Sequence, residues 1–306
     1  MTKAFVFPGQ GSQTLGMLNE LEAVSDVVKQ TFQEASDALG YDLWKLIAEG
    51  PVENLNQTDK TQPALLASSV AIWRHYLAEG GAKPSVMAGH SLGEYSALTC
   101  TGVLQFSDAL KLVKARGEFM QEAVPAGTGA MFAIIGLDDA KIVEICAEQA
   151  NDQVVSAVNF NSPGQVVIAG HAEAVARAGE ACKAAGAKRA LPLPVSVPSH
   201  CALMQPAAER LATQLDALVL SEPEIAVINN VDVQAENSAE AIKSALVRQL
   251  YSPVRWTETV QKMAADGVTQ LVECGPGKVL TGLTKRIDKS LSGSAMNTPE
   301  TVTDLL

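Results

Sequence analysis

Val86-Met87-Ala88-Gly89-His90-Ser91-Leu92-Gly93-Glu94-Tyr95-Ser96-Ala97 is the stretch on which the reading of this chain turns. A short apolar run from Ser85 to Ala88 meets Gly89-His90-Ser91-Leu92-Gly93, and a helix-forming segment follows from Glu94 to Cys100. This is G-x-S-x-G between a strand and a helix, the setting in which a serine stands on a sharp turn above a sheet. Glycine on either side lets the chain turn where a Cβ would clash. The turn predicts a raised Ser91 hydroxyl and a Leu92 N–H at a helix N-terminus, aimed at an oxyanion. An ordinary glycine-bracketed turn reads the same way locally, so the rest of the chain has to decide.

Outward from that stretch, 306 residues with 47% hydrophobic content suffice for one large domain carrying an insertion. No apolar run is long enough to span a membrane, and the apolar start at Ala4-Phe5-Val6-Phe7 is too short before Pro8-Gly9 for a signal peptide. Five scattered cysteines, none in a C-x-x-C pair, argue against a disulfide framework or a zinc site and predict a cytoplasmic protein. A net charge of −11 speaks against nucleic acid as a partner.

Upstream, Ala4–Phe7 reads as a buried strand ending in the turn Pro8-Gly9-Gln10-Gly11-Ser12-Gln13. Thr14 stands where a dinucleotide fingerprint needs its third glycine. What remains is either an ordinary structural glycine-rich turn or a close backbone approach to a reacting group, with Gln10 offering its amide N–H. Helical periodicity covers about 18–39, then 43–48. Another helix opens at Thr61-Gln62-Pro63, with Pro63 in its first turn, and stops at Gly80-Gly81.

Downstream, Ser107 is a candidate cap for a helix over 108–123, whose apolar stripe is Leu112, Val113, Phe119 and Met120. Arg116 falls on that stripe. A buried guanidinium must be paired. It is therefore an internal ion pair, a side chain reaching out to solvent, or a bidentate receptor for a substrate carboxylate. After Val124 the rhythm becomes β-α-β-β-α-β, the ferredoxin-like unit. It predicts an inserted small domain over 125–196, with 1–124 and 197–306 forming the large domain. His171 is expected to cap the second helix of the insert. Past it, Gly275-Pro276-Gly277-Lys278 lacks the serine or threonine of a phosphate-binding loop. The tail from Ser290, small and polar, is expected to be loosely held.

A serine nucleophile needs a base, and the chain has four histidines. His90 adjoins Ser91 and should point away from it, while His75 and His171 have structural explanations. His200, at the return from the insert, leads by elimination. No carboxylate between Ser91 and His200 makes an obvious triad acid, so a dyad oriented by another group fits better.

Several segments carry a resemblance along nearly the whole chain. They are Phe5-Val6-Phe7-Pro8-Gly9-Gln10-Gly11-Ser12-Gln13, Thr61-Gln62-Pro63-Ala64, Gly89-His90-Ser91-Leu92-Gly93-Glu94-Tyr95 and Arg116-Gly117. Asn159-Phe160-Asn161-Ser162-Pro163-Gly164-Gln165, Pro198-Ser199-His200 and Glu273-Cys274-Gly275-Pro276-Gly277 complete the set. In these the chain resembles the bacterial malonyl-CoA:acyl-carrier-protein transacylases, of the acyltransferase family of fatty-acid and polyketide synthesis. The resemblance implies an α/β fold: a hydrolase-like core with a parallel sheet and the ferredoxin-like insert.

By the same resemblance Ser91 is the nucleophile and His200 its base. The Gln10 and Leu92 amides form the oxyanion hole, and Arg116 clamps the malonyl carboxylate. A backbone carbonyl at Gln249 orients the histidine, and Gln62, Gln165 and Met120 line the pocket. The implied partners are malonyl-CoA and the phosphopantetheine arm of an acyl carrier protein, with no metal or cofactor required. Carrier proteins are acidic, so docking would use local cations such as Lys188, Arg189, Lys278, Lys285 and Arg286. The alternatives are a serine thioesterase or esterase, and a non-catalytic subunit that binds the carrier protein.

Overall fold

A computed structural model describes residues 2–195 and 197–306; Ser196, where the insert is expected to end, lies outside the described residues. In chain order the strands are β1 (Lys3–Phe7), β2 (Val86–Gly89), β3 (Gly129–Ile135), β4 (Val155–Ser162) and β5 (Gln165–His171), then β6 (Arg189–Pro192), β7 (Val227–Ile228), β8 (Gln270–Cys274) and β9 (Ser292–Met296). Five form a parallel sheet in the order β7-β2-β1-β8-β9, and four an antiparallel sheet in the order β4-β5-β3-β6.

The sequence of β1 shows why the first sheet is sandwiched. Side chains alternate across a strand. Phe5 and Phe7 join a core with Met87 and Val272, beneath the helices Thr58–Ala78 and Phe106–Ala123. Ala4 and Val6 join the opposite core with Ala88 and Leu271, beneath Trp256–Ala265 and Val279–Ile287. With both faces covered, the strand is apolar throughout its buried length.

The second sheet has the strand order expected of the β-α-β-β-α-β unit. Ile134, Val166 and Ile168 face the helices Asp139–Ala150 and Ala172–Ala184, while Met131, Val167 and Ala169 pack with Cys201 of the returning chain. It is stitched to the larger part by backbone: Val254 N–H donates to Val158 O at 2.8 Å and Phe160 N–H to Val254 O at 3.0 Å.

Several boundaries differ from the periodicity. The helix expected over 18–39 is two, Asn19–Val24 and Asp26–Leu39, because Ser25 turns extended and caps the second by accepting from Val28 N–H. Pro63 lies inside the helix Thr58–Ala78, which begins three residues earlier than expected. Ser107 is not a cap: the helix starts at Phe106, after Gln105. His171 precedes its helix without capping it, and its Nδ1 accepts from Val154 N–H at 2.8 Å. The tail is not loose. Ser292–Met296 pairs parallel to β8, Thr298 caps the helix Pro299–Thr303 in a capping box, and Val302 and Leu305 are buried.

Parallel neighbours bring their C-terminal ends to one edge, where ligands of open α/β sheets bind. The loops after β7, β2 and β1 emerge there side by side, carrying Asn230, Ser91 and Gln10.

Candidate active site

Ser91 sits at φ 52°, ψ −108°, a backbone conformation that costs a non-glycine residue energy and persists only where its surroundings enforce it. Here the enforcement is visible. Ser91 N–H donates to Asn230 Oδ1 at 2.7 Å, and Asn230 Nδ2 donates to Gly89 O at 2.6 Å. The flanking glycines are needed for close approach. A Cβ on Gly89 would come within 1.9 Å of the Gly93 carbonyl carbon, and one on Gly93 within 2.0 Å of Phe7 O. The helix Leu92–Cys100 starts directly after the serine.

His200 meets that serine, with its Nε2 2.8 Å from Ser91 Oγ. Its Nδ1 lies 2.7 Å from Gln249 O, in place of a triad carboxylate. A carbonyl only accepts, so Nδ1 carries the hydrogen and the Nε2 lone pair faces the hydroxyl. Burial, and after it the Arg116 charge, push the His200 pKa down to about 3. At neutral pH the imidazole is therefore unprotonated, the state a base needs.

Arg116 is 1% exposed. It donates through Nη1 to Gln62 Oε1 at 2.9 Å, and through Nη2 to Gln249 Oε1 at 3.1 Å and Ser91 Oγ at 3.2 Å. Its guanidinium also lies 5.3 Å from the centre of the Tyr95 ring. Among the described residues no ion pair joins it to a carboxylate, and its Nε has no partner. The internal ion pair is thus excluded. A guanidinium offers five N–H donors, and here neutral groups take only some of them. That leaves a buried cation able to receive an anion beside the serine.

Ser91, His200 and Arg116 line a cavity of about 110 Å³. The large part contributes Gln10, Gln62, Leu92, Arg116 and Met120, and the second sheet and its return contribute Met131, Asn159, Leu193 and Val195. Met120 Sδ accepts from Gln62 Nε2 at 3.6 Å, holding the amide that faces Arg116. The N–H groups of Gln10 and Leu92 meet no acceptor among the described residues, as an oxyanion hole requires. A wider surface hollow of about 680 Å³, beside Phe32 and Trp44, holds none of this chemistry.

Gln165 does not reach the cavity. It starts β5 and accepts from Arg286 Nη1 at 3.1 Å. His90 points away from the serine, its Nε2 2.8 Å from Asn161 Oδ1, and His75 sits buried with Nδ1 3.1 Å from Ser25 Oγ. Sequence reasoning missed Asn230 and Asn159. It also missed Glu94, which is 2% exposed and accepts through Oε2 from Asn230 N–H at 2.9 Å and Gln249 Nε2 at 2.8 Å. The one charged residue in the helix Leu92–Cys100 was the available signal that Glu94 is buried. No group of three or more His, Cys, Asp or Glu with the arrangement of a metal site occurs among the described residues, and none of their helices is long and apolar enough to cross a membrane.

Known proteins share both the sequence and the shape. A family model described as acyl transferase domain matches residues 4–302. The chain is 66% identical over 296 residues to the malonyl CoA-acyl carrier protein transacylase of Salmonella typhimurium, covering 97% of this chain and 96% of that one. To the transacylase of the same name from Bacillus subtilis it is 47% identical over 300 residues, covering 98% and 94%. The solved acyl carrier protein S-malonyltransferase of Vibrio cholerae superposes with a TM-score of 0.98 at 64% identity, covering 100% of both chains. A malonyl-transacylase solved in complex with a type II PKS acyl-carrier protein superposes at 0.99 with 64% identity, covering 100% of this chain and 99% of that one. Identity this high over nearly the whole of both chains, on a matching fold, leaves one assignment: the chain belongs to the acyl transferase family, among its malonyl CoA-acyl carrier protein transacylases.

Proposed function

We propose that the protein moves a malonyl group from malonyl-CoA to the phosphopantetheine thiol of acyl carrier protein through a malonyl ester on Ser91, supplying fatty-acid synthesis. His200 Nε2 takes the hydroxyl proton as Ser91 Oγ attacks the thioester carbonyl. The Leu92 and Gln10 N–H groups receive the oxyanion, and removing one such donor costs on the order of 10²–10³ in rate. The tetrahedral intermediate collapses, the carbon–sulfur bond breaks, and the CoA sulfur leaves with the proton from His200. In the second half the carrier thiol gives its proton to His200 and attacks the ester, and Ser91 recovers the proton. A thioester is already activated, so no cofactor or metal is needed.

The observation that carries the malonyl assignment is the buried Arg116, which donates to Ser91 Oγ at 3.2 Å and has spare N–H groups. A dicarboxylic acyl group brings the anion it lacks. We also take residues 125–196 as a small domain covering the site, with 1–124 and 197–306 as the large one. The five free cysteines favour a cytoplasmic location. Lys188, Arg189, Lys278, Lys285 and Arg286 are all exposed and remain the cations offered to an acidic carrier.

The test is incubation with malonyl-CoA, adduct mapping by mass spectrometry, and then addition of carrier protein. The expected result is a malonyl ester on Ser91 that passes to the thiol. Release of the acyl group to water instead would make the protein a thioesterase, and absence of any adduct would make it a non-catalytic binding subunit.

A further inference from the structure

The transfer uses Ser91, His200, the two amides and Arg116 directly, and leaves Glu94 and the Gln249 side chain without a chemical step. Their arrangement is nevertheless fully determined. Gln249 Nε2 donates to Glu94 Oε2 at 2.8 Å and to Ser91 O at 3.1 Å, while its Oε1 accepts from Arg116 Nη2 at 3.1 Å. Arginine only donates and the serine carbonyl only accepts, so an amide turned end for end would set donor against donor and acceptor against acceptor. Glu94 Oε2 also accepts from Asn230 N–H at 2.9 Å, and Asn230 Oδ1 holds Ser91 N–H at 2.7 Å. One buried carboxylate thus anchors two arms, through Asn230 to the serine turn and through Gln249 to the guanidinium.

We propose that Glu94 is a positioning residue for acyl-group selection: acting through the Gln249 amide, it holds the Arg116 guanidinium where it can receive the acyl carboxylate. The inference rests on the reading of Arg116 as the carboxylate receptor. A carboxylate directly on Arg116 would compete with the substrate's own. The intervening neutral amide passes on the anchoring and leaves the guanidinium free of an anionic contact. Without an acceptor at position 94, the amide loses one of the bonds that orient it and Arg116 gains freedom to turn.

The test compares Glu94→Leu, which removes the acceptor, with Glu94→Gln, which keeps an oxygen for both donors. Kinetics with malonyl-CoA and acetyl-CoA, transferred to carrier protein, give KM and kcat for a charged and a neutral acyl group. Glu94→Leu is expected to raise the malonyl-CoA KM roughly tenfold or more relative to any change in acetyl-CoA KM, the effect of disturbing one charge-assisted hydrogen bond. This comes on top of a fall in kcat common to both acyl groups through the Asn230 arm. Glu94→Gln is expected to restore malonyl-CoA KM to within about threefold of the parent. An equal change in both KM values, or no rescue by glutamine, overturns the proposal. If Glu94→Leu does not fold, Gln249→Met serves instead, since it removes the amide and keeps the carbonyl that His200 needs. It should show the same malonyl-selective defect, and malonyl and acetyl falling together would again overturn the proposal. Arg116→Ala separates the two levels. If it leaves malonyl preference intact, the receptor reading itself fails. If it abolishes that preference while the Glu94 and Gln249 variants do not, only the positioning role fails.

Discussion

His200 and Arg116 are linked electrically as well as by proximity. Burial is the first cause of the low His200 pKa of about 3, and the Arg116 charge the second. The acid limb of kcat/KM in the free enzyme should therefore lie well below the ordinary histidine value near 6.5. Arg116→Ala removes the second cause, so the limb should move up toward neutral pH, measured with acetyl-CoA, which does not need the guanidinium. The same variant should lose malonyl transfer by on the order of 10²-fold or more while keeping or gaining acetyl transfer. A parent limb near 6.5, or a downward move in the variant, contradicts the assignment. Ser91, His200 and Arg116 were legible in the sequence because each carries a local mark: glycines around a serine, elimination among few histidines, and a cation on an apolar stripe. Glu94, Asn230 and the Gln249 side chain were not, since their bonds join residues more than 130 positions apart and no local pattern records such a partner.

The serine turn works because β1 and β2 lie side by side and the following helix starts almost on top of them. The Gly93 position touches Phe7 O, backbone of a central strand that cannot move without breaking its pairing with β2 and β8. Gly93→Ala should therefore cost more than about 3 kcal/mol or prevent folding, as expected for a side chain forced into packed backbone. Gly102→Ala is the contrast. That residue has φ +79° and nothing within 4 Å of an added Cβ, so only the left-handed conformation is penalised, about 1–2 kcal/mol. Urea unfolding of both variants measures the difference, and a Gly93→Ala protein within 1 kcal/mol of the parent would remove the close-approach argument. Element types were legible from periodicity, since strands of alternating or continuous apolar residues and helices with glycine stops announce themselves. The C-terminal tail was not. Ser292-Gly293-Ser294-Ala295-Met296 has the composition of a loop, and it becomes a strand only because β8 offers an unpaired edge. Gln165, expected in the pocket from the resemblance alone, starts β5 and accepts from Arg286 outside the cavity lining.

At the scale of the whole molecule, the sheet order β7-β2-β1-β8-β9 could not be read from the chain, because parallel pairing joins segments separated by long crossovers. That order nonetheless brings two buried ionisable groups into one network with opposite effects on stability. Burial holds the His200 pKa at about 3, below the usual 6.5, so the unfolded chain binds the extra proton between those values and stability from this group is lost as pH falls through 6.5. Burial raises the Glu94 pKa to about 7 from 4.5, so here the folded chain binds the extra proton and stability is lost as pH rises from 4.5 through 7. Between pH 4.5 and 6.5 the two slopes oppose each other, one proton each. Glu94→Gln deletes one of them, so its stability should fall more steeply than the parent's as the solution is acidified below 6.5, and should lose less than the parent's between about 5 and 7.5 as it is made alkaline. Unfolding free energies of the parent and variant over that range, taken as a difference, isolate Glu94 from every surface carboxylate. Parallel curves would mean that the glutamate is already ionised throughout, and that the buried network carries a full negative charge at its root.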